Sequence, residues 1–348
     1  LMGHRQVGKT TLAQTFAAQY VSLDSKATLE AASLDPDGFL EQFNKSPVIL
    51  DECQLCPPLF PALKERVRKN PKPGQFLLTG SVRFSSRKAI RESLTGRIVN
   101  VELLPFGVSE THHVPLNDFI FHIVNSKHLA EPKKRKLPCD VDAYLSRGGL
   151  PGVCFVREQA LRKQRFDTQC ETLLERDLRL LVETTLSYHT LLSLFRICSK
   201  MQGEPLDVSA LSRMSRISQP TLKKLLRAFE AMYLIRFVPC EGDLRKPTFF
   251  FEDAGEASFL NPEGFSPLRD IERFLFCNLR PQLACRPELS ATLFTFRTRS
   301  GSFIPLCFRI GGKALGILPI LENNPTANAL GSARAFLGRY ENAKVIIL

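Results

Sequence analysis

The sequence predicts a mixed α/β fold with a parallel sheet, followed by further domains that are richer in helices. Two apolar runs support this prediction. The run at residues 47–52 ends in two acids, and the run at residues 75–81 ends in polar residues. Such runs are typical of buried parallel strands that deliver side chains to the carboxyl edge of a sheet. Amphipathic stretches such as residues 58–69 lie between them, as expected for the helices of α/β units. A chain of 348 residues has room for about two or three domains.

The charge balance suits a polyanionic partner without identifying one. Lys and Arg total 47 against 35 for Asp and Glu, a net charge of +12. Such an excess favours nucleic acid as a partner, although basic proteins that bind no nucleic acid are common. No apolar run approaches the length of about 18 residues that suggests a membrane span. Since no signal peptide is visible either, we expect a cytoplasmic protein that does not contact a membrane.

The ten cysteines are scattered along the chain, so we expect them to be reduced thiols. Cys53 and Cys56 form the one C-x-x-C pair, and no second pair completes a four-ligand zinc site. We therefore predict that both cysteines pack in the core.

Residues 3–10 spell G-x-x-x-x-G-K-T, the pattern of a loop that wraps the phosphates of a nucleotide. Gly3 and Gly8 allow left-handed turns and a close approach to phosphate oxygens, and consecutive main-chain amides form an anion-binding nest. Lys9 adds a charge that can follow the γ-phosphate, and Thr10 offers a hydroxyl to Mg²⁺. The alternative is a surface turn that merely contains Gly and Lys. The nucleotide-binding residues predicted in this segment are Gly3, His4, Arg5, Gln6, Val7, Gly8, Lys9, Thr10 and Thr11.

The loop lies at the beginning of the chain. A phosphate-binding loop follows a buried strand and opens a helix, but only Leu1 and Met2 precede this one. We therefore expect that the chain lacks its natural start and that the central strand carrying the loop is missing. The helix that leaves the loop is predicted over residues 11–19, where apolar side chains fall on one side.

The two acids that end the apolar run of residues 47–52 complete the predicted site. Asp51 would hold Mg²⁺ through water, and Glu52 would polarise the water that attacks the γ-phosphate. The alternative is a buried strand that ends in a solvated acidic turn. If the strand at residues 75–81 lies between the loop strand and the Asp51 strand, Thr79 or Ser81 can hydrogen-bond the water or the γ-phosphate. We therefore predict that Ser81 acts with Glu52 and Lys9 in catalysis, while Thr10 and Asp51 hold the metal.

Arg97 is the last predicted catalytic residue. It could reach the γ-phosphate of a neighbouring subunit as an arginine finger, which implies a homo-oligomer. The alternative is a local ion pair.

A basic stretch and a helical region follow. Residues 131–140 contain four adjacent cations, which repel one another and stay solvated, so a linker is predicted there. The linker is either a plain exposed hinge or a contact for nucleic acid. A sharp turn at residues 148–152 then leads into a long charged helical region at residues 158–182.

Residues 206–238 predict a helix-turn-helix. A short helix at residues 209–215 and a turn precede a longer helix from Gln219, and residues 234–238 and 248–251 are expected to form a hairpin wing. This outline is that of a winged helix-turn-helix, which either places its second helix in the major groove of DNA or contacts a protein. The side chains on helical spacing, predicted to be core, are Leu222, Leu225, Leu226, Phe229, Met232 and Tyr233. Those off that face are Lys223, Lys224 and Arg227.

From residue 267 the chain returns to mixed α/β structure. We predict a helix at residues 270–279 and strands near residues 293–297, 303–310 and 315–321. A helix at residues 329–340 and a closing strand at residues 345–348 complete the chain.

Taken together, these motifs make the chain resemble the bacterial and archaeal AAA+ P-loop ATPases of the AAA_14 type with a C-terminal DUF4143 domain. The resemblance extends over nearly the whole length, and its ATPase half carries Walker A and Walker B motifs. The segments that carry it are residues 3–12, 48–54, 78–81, 94–97, 104–106 with Glu110, and 148–151.

The resemblance implies roles that the residues alone do not. The Gly-Gly-x-Pro turn at residues 148–151 looks like the lid element near the adenine, so Pro151 is expected to contact the base. The last domain of the family resembles a restriction endonuclease, with a Glu-Val-Asp strand followed by a Glu-Val-Lys strand. Here residues 303–305 and 318–320 carry neither the acids nor the lysine, and Glu272 cannot build a metal site alone. We therefore predict a nuclease-like tail without nuclease activity.

The implied architecture is a P-loop NTPase sheet, followed by a helical lid, a winged helix and a degenerate restriction-endonuclease-like α/β domain. The implied function is ATP binding with Mg²⁺ and its hydrolysis to ADP and phosphate by a regulatory AAA+ ATPase. Its partners would be ATP and, through the winged helix, double-stranded DNA or a protein. The alternative is a non-hydrolysing DNA-binding or protein-interaction module descended from such an ATPase. The expected domains are residues 1–130 (ATPase), 131–140 (basic linker), 141–190 (lid), 191–255 (winged helix) and 256–348 (nuclease-like tail).

Overall fold

A computed structural model describes residues 1–83, 96–115, 119–125 and 140–348. The chain divides into two compact units. The first contains Leu1–Leu104 with Ala231–Leu234, and the second contains Pro105–Glu230 with Ile235–Leu348. The predicted linker at residues 131–140 lies outside the described residues except for Asp140, so the predicted domain limits remain predictions.

The first unit alternates short strands and helices, as the sequence predicts. Residues 53–55 add a single 3-10 turn directly after the third strand. The elements are β1 (Met2–Gly3), α1 (Lys9–Gln14), β2 (Gln19–Ser22), α2 (Lys26–Leu34), α3 (Pro36–Glu41), β3 (Val48–Asp51), α4 (Leu59–Lys69), β4 (Phe76–Leu78) and β5 (Glu102–Leu103).

The strands of the first unit are parallel, and their order brings the predicted motifs together. Strand β3 pairs with β2 on one side and with β4 on the other. Strand β1 pairs with β5, and a parallel bridge between Met2 and Gly80 places β1 beside the end of β4. Strand β4 therefore lies between the loop strand and the Asp51 strand, which meets the condition set from the sequence for Thr79 and Ser81. The carboxyl ends of β1, β3 and β4 meet at one edge, where open α/β sheets bind their ligands.

A strand of only two residues directly precedes the loop, and the expectation that the natural start is missing stays a prediction. Met2 and Gly3 form β1, because the Met2 amide donates to the Val101 carbonyl at 2.8 Å and the pair continues to Leu103. A Cβ at Gly3 would lie 2.3 Å from the Leu103 carbonyl oxygen. The close approach of the two strands therefore requires glycine at this position.

Helix α1 is shorter than the predicted span of residues 11–19. The amides of Thr15, Phe16 and Ala17 bond to carbonyls three residues earlier, which tightens the last turn. The Ala18 amide then donates to the Pro47 carbonyl at 3.1 Å, and the chain enters the sheet. Elsewhere the core of this unit contains both cysteines of the C-x-x-C pair, which are fully buried.

The second unit carries most of the helices. A π-helical turn, Thr172–Asp177, extends the long helix that follows the glycine turn at residues 148–149. The helices are α5 (Val108–Thr111), α6 (Phe119–Asn125), α7 (Val141–Arg147), α8 (Pro151–Cys154), α9 (Gln159–Glu171), α10 (Tyr188–Met201), α11 (Val208–Ser215), α12 (Gln219–Ala231), α13 (Ala254–Leu260), α14 (Pro267–Ala284) and α15 (Ala327–Arg339). The strands are β6 (Ile235–Val238), β7 (Cys240–Gly242), β8 (Thr248–Phe251), β9 (Thr292–Arg297), β10 (Phe303–Ile310), β11 (Lys313–Leu318) and β12 (Ala343–Ile347).

Three helices and a hairpin follow one another between residues 188 and 251. Asp207 caps α11 by accepting from the amides of Ser209 and Ala210 at 2.9 and 3.0 Å. Arg216 takes a left-handed conformation at the turn into α12. Strands β6 and β8 then pair in antiparallel fashion, and Pro205 bridges to Thr248 on the far side of β8. The apolar face predicted for α12 is buried, while Lys223, Lys224 and Arg227 are exposed.

The C-terminal sheet is mixed, with the order β12-β11-β10-β9-β7. Strand β10 pairs antiparallel with β9 and β11, whereas β12 runs parallel to β11 because α15 crosses between them. Phe294, Phe296 and Phe336 pack between this sheet and α15. In the part of the chain that the structure describes, no helix has the length and apolar character needed to cross a membrane.

Candidate functional site

The loop at residues 3–10 connects β1 to α1 and reverses direction through two left-handed residues. Gln6 has φ 62° and Gly8 has φ 92°, directly before the first residue of α1. The Val7 side chain is buried beneath the loop. The helix that follows has only six residues, so its dipole supports an anion less than the main-chain amides and Lys9 do.

Lys9 is folded into the loop rather than extended into solvent. Only 5% of its surface is exposed, and its Nζ donates to the carbonyl oxygens of Gly3 at 3.1 Å and His4 at 2.8 Å. A buried ammonium group needs such oxygen partners. Phosphate oxygens are stronger acceptors of the same kind, so this ammonium suits a triphosphate held by the loop.

Asp51, the last residue of β3, accepts hydrogen bonds from three hydroxyl groups. Thr10 and Tyr20 donate to Oδ2 at 2.9 and 2.8 Å, and Thr79 donates to Oδ1. Burial, followed by the hydrogen bond to Asp51, raises the pKa of Tyr20 to about 12, so its hydroxyl stays a donor at neutral pH. Three neighbouring elements thus fix the carboxylate that the sequence predicts as the metal anchor.

Glu52 follows in a left-handed conformation, with φ 55° and ψ 38°. Its amide donates to the Thr79 hydroxyl at 3.2 Å, and the next amide donates to the Thr79 carbonyl at 3.1 Å. Its carboxylate accepts from Gln54 and, at 3.5 Å, from the Ser81 hydroxyl. The structure therefore brings Ser81 and Glu52 together, as predicted, at the carboxyl ends of adjacent strands.

Oxygen ligands from Thr10 and Asp51 fit a magnesium ion. Mg²⁺ prefers hard oxygen donors and commonly takes one or two protein ligands besides the phosphates of its nucleotide. The Thr10 hydroxyl and Asp51 Oδ2, 2.9 Å apart, supply such a pair beside the loop. The donor chemistry thus suits the metal and the triphosphate together.

Two of the predicted site residues come from other segments of the chain. Arg97 is exposed and lines a cavity of about 630 Å³ with Val67, Phe76 and Ile98. No hydrogen bond or ion pair among the described residues joins Arg97 to the Asp51 cluster. Pro151 is the first residue of α8 in the second unit. The roles of Arg97 and Pro151 remain predictions.

The glycine turn before Pro151 has a structural basis within the second unit. The Gly149 amide donates to Asp253 Oδ2 at 2.7 Å, and a Cβ at Gly149 would lie 2.1 Å from the Phe106 carbonyl oxygen. The Phe106 amide in turn donates to the Gly149 carbonyl at 2.8 Å. The segments at residues 104–106 and 148–151, both noted in the sequence, therefore contact each other.

Tyr20 and Gln54 were not predicted to belong to the site. Tyr20 lies two residues before Ser22, the partner of Asp51 in the β2–β3 register, so its long side chain reaches along the strand to the carboxylate. The signal for Tyr20 is its place in a short strand, and the pairing of that strand with β3 is seen only in the structure. Gln54 lies two residues after Glu52, and its chemistry alone does not distinguish it from a solvated turn residue.

Comparison with known proteins supports the interpretation of the first unit. Residues 1–112 match a family model described as AAA domain. The N-terminal part of the chain is therefore similar to AAA-type nucleotide-binding modules. Residues 139–246 match a second model, described as a domain of unknown function (DUF8612), and not the DUF4143 domain that the resemblance implied.

Two mycobacterial proteins align with the whole chain. They are the uncharacterized proteins Rv2008c of Mycobacterium tuberculosis and Mb2031c of Mycobacterium bovis, each 27% identical over 367 aligned residues. The alignments cover 100% of this chain and 75% of each relative. The similarity to these two proteins therefore extends over both compact units of the chain.

Proposed function

We propose that the chain is a regulatory ATPase that binds ATP with Mg²⁺ at the loop of residues 3–10 and hydrolyses it to ADP and phosphate. One observation carries this proposal: Thr10 and Thr79 donate to the two oxygens of Asp51, beside a loop that contains the buried Lys9. That arrangement supplies a metal anchor, a phosphate cation and a neighbouring carboxylate at one sheet edge.

Each residue of the site would have its own role in ATP binding or hydrolysis. Main-chain amides of the loop and Lys9 would hold the phosphates, and Thr10 with Asp51 would hold Mg²⁺, which neutralises charge on the phosphates. Glu52 would accept a proton from the water that attacks the γ-phosphate in line with the leaving oxygen of ADP. Ser81, within reach of Glu52, would orient the same water.

The test is a pair of substitutions with matched controls. Lys9→Ala should weaken binding of a fluorescent ATP analogue by about 100-fold, since it removes a charge-assisted phosphate contact. Glu52→Gln should keep ATP binding and lower steady-state hydrolysis by about 100-fold or more, as expected when a general base is lost. Lys69→Ala and Glu41→Gln change exposed residues of the same types and should leave both measurements unchanged. Equal hydrolysis rates for Glu52→Gln and the parent would overturn the assignment of Glu52.

A second proposed function is DNA binding through residues 188–251. The order of α10, the Pro205 bridge, α11, α12 and the β6–β8 pair supports a winged helix-turn-helix with α12 as the recognition helix. The exposed cations of α12 are Lys223, Lys224 and Arg227, and Arg245 with Lys246 are exposed between β7 and β8. These charges favour a phosphate backbone over a neutral protein partner. A DNA-binding or protein-interaction module that does not hydrolyse ATP is the alternative, and the Glu52→Gln comparison separates it from the first proposal.

The C-terminal part would be a nuclease-like domain without nuclease activity. The order α14-β9-β10-β11-α15-β12 supports the comparison with restriction endonucleases made from the sequence. Glu272 is buried and bonded to Arg269, which also binds Glu204. Burial raises the pKa of Glu272 to about 7, although Arg269 opposes the shift. A carboxyl group paired in this way is a poor metal ligand, so incubation with plasmid DNA and Mg²⁺ or Mn²⁺ should leave the DNA intact.

A further inference from the structure

The amide side chain of Gln54 lies between the two polar groups that the proposed reaction needs. It belongs to the turn Cys53–Leu55 directly after Glu52, and only 4% of its surface is exposed. Its Nε2 donates to Glu52 Oε2 and, at 3.3 Å, to the Ser81 hydroxyl. One buried amide therefore contacts both the carboxylate and the hydroxyl at the ends of β3 and β4.

The hydrogen bonds around Glu52 are asymmetric. Gln54 and Ser81 both donate to Oε2, and no hydrogen bond among the described residues reaches Oε1. A carboxylate held by one oxygen cannot rotate freely about its terminal torsion. Its other oxygen then keeps a fixed direction and can accept a proton.

The main chain around Glu52 is fixed as well. Left-handed conformations are costly for a residue with a Cβ, by about 1 kcal/mol or more, and persist only where the surroundings determine them. Here the amides of Glu52 and Cys53 bond to Thr79, and the Leu55 amide donates to the Glu52 carbonyl at 3.0 Å. The fixed main chain places the Cβ of Glu52, and Gln54 fixes the end of its side chain.

We infer that Gln54 is a positioning residue for ATP hydrolysis, which holds Oε2 of Glu52 so that Oε1 meets the attacking water. This inference rests on the proposed hydrolysis at the loop of residues 3–10. A neutral amide suits the task, because it donates to the carboxylate without adding a charge beside it. Gln54 also donates to the Ser81 hydroxyl, so it holds the Glu52 carboxylate at a fixed position relative to the end of β4.

The experiment compares Gln54→Leu, which keeps the volume but removes the donors, with the parent and with Gln42→Ala, an exposed glutamine of the same unit. We expect kcat for ATP hydrolysis to fall by about 10- to 100-fold, the cost of a misplaced catalytic group. The Kd for a fluorescent ATP analogue should stay within about twofold of the parent value, because Gln54 Nε2 donates to Glu52 and Ser81, at the ends of β3 and β4. Gln42→Ala should behave as the parent in both measurements.

The double variant Glu52→Gln/Gln54→Leu supplies a readout that a merely structural role would not give. If Gln54 acts only through Glu52, the double variant should lower kcat no further than Glu52→Gln alone, whereas independent structural damage would add to the loss. Far-UV circular dichroism and thermal melts establish that each variant is folded. If Gln54→Leu does not fold, Gln54→Asn, which keeps the amide but shortens its reach, takes its place in both comparisons.

The outcomes separate this inference from the function on which it rests. If Glu52→Gln lowers hydrolysis while Gln54→Leu keeps kcat within about twofold, or if the losses of the two variants add in the double variant, the ATPase stands and the role of Gln54 is overturned. If the parent does not hydrolyse ATP, or if Glu52→Gln hydrolyses it at the parent rate, both fail. Loss of ATP binding in Gln54→Leu would also contradict a positioning role.

Discussion

Tyr20 donates one of the three hydrogen bonds that Asp51 accepts, although 38% of its surface is exposed. Tyr20→Phe removes this bond and leaves the ring in place. A hydrogen bond to a charged group contributes about 1 kcal/mol or more, so we expect lower thermal stability and a higher Mg²⁺ requirement for hydrolysis. Tyr188→Phe is the control, because the Tyr188 hydroxyl makes no hydrogen bond to any residue that the structure describes. An Mg²⁺ requirement equal in the two variants would contradict the role of Tyr20.

The same hydroxyl predicts how the effect depends on pH. The pKa of Tyr20 is raised to about 12 in the folded chain, against about 10 for an unfolded tyrosine. The stabilisation is therefore fully present below about pH 10 and is lost as the pH rises through about 12. The difference in melting temperature between the parent and Tyr20→Phe should stay constant between about pH 7 and 9 and shrink above that range. A difference that disappears below pH 9 would contradict this assignment.

The candidate site residues that could be predicted are those fixed by local sequence order. Lys9 and Thr10 come from one loop, and Asp51 ends β3 directly before Glu52, so the G-K-T and Asp-Glu patterns point to these candidates directly. The prediction for Ser81 also depends on the strand order, which is only a condition in the sequence analysis. The structure meets that condition, because β4 lies between β3 and β1. Tyr20 and Gln54 depend on the register of a pair and on side-chain reach, which a single sequence does not specify. The role of Arg97 depends on a second subunit.

Strand β1 is the shortest element on which the site depends, and its glycine has no room for a side chain. Gly3→Ala would place a methyl group 2.3 Å from the Leu103 carbonyl oxygen, so β1 and β5 must separate. Overpacking of this kind costs about 1–3 kcal/mol, and the shift should also weaken ATP binding because Gly3 begins the loop. Thermal melts and ATP titrations measure the two effects.

Helix α15 offers the matched control. Gly331 lies inside this helix, and a Cβ there would have no heavy atom within 4 Å. Gly331→Ala should therefore stabilise the chain by about 0.5–1 kcal/mol through helix propensity. The change in the free energy of unfolding should therefore have opposite signs for Gly3→Ala and Gly331→Ala. Destabilisation by Gly331→Ala would contradict the helical environment of Gly331.

Helices and strands with a strong apolar pattern could be predicted closely. The limits predicted for β10, residues 303–310, are those observed, and α4 differs from its prediction by one residue. Elements whose ends depend on distant partners were predicted less well. Helix α1 ends early because the Ala18 and Gln19 amides bond to Pro47, and β1 forms because Met2 and Gly3 pair with β5. Periodicity contains no information about these long-range bonds.

At the scale of the whole molecule, the net charge of +12 has a local meaning only if cations cluster on one exposed face. The cations of α12 do so, because the helix buries its leucines and leaves its basic side chains in solvent. A duplex bound there would release counterions in proportion to the phosphates contacted. The salt dependence of binding is therefore a direct measure of this surface.

The corresponding experiment is a fluorescence-anisotropy titration with duplex DNA at several salt concentrations. Replacing Lys223, Lys224 and Arg227 by Ala should reduce the slope of log K against log salt by about three, because each lost phosphate contact removes about one. The control replaces three exposed lysines of the first unit, Lys45, Lys69 and Lys72, and changes the net charge equally. Non-specific attraction depends on the net charge, whereas binding of a duplex at α12 depends on where the cations lie. The slope of log K against log salt should therefore fall only in the α12 variant. Equal losses in both variants would mean that the basic excess, and not the helix, attracts the DNA.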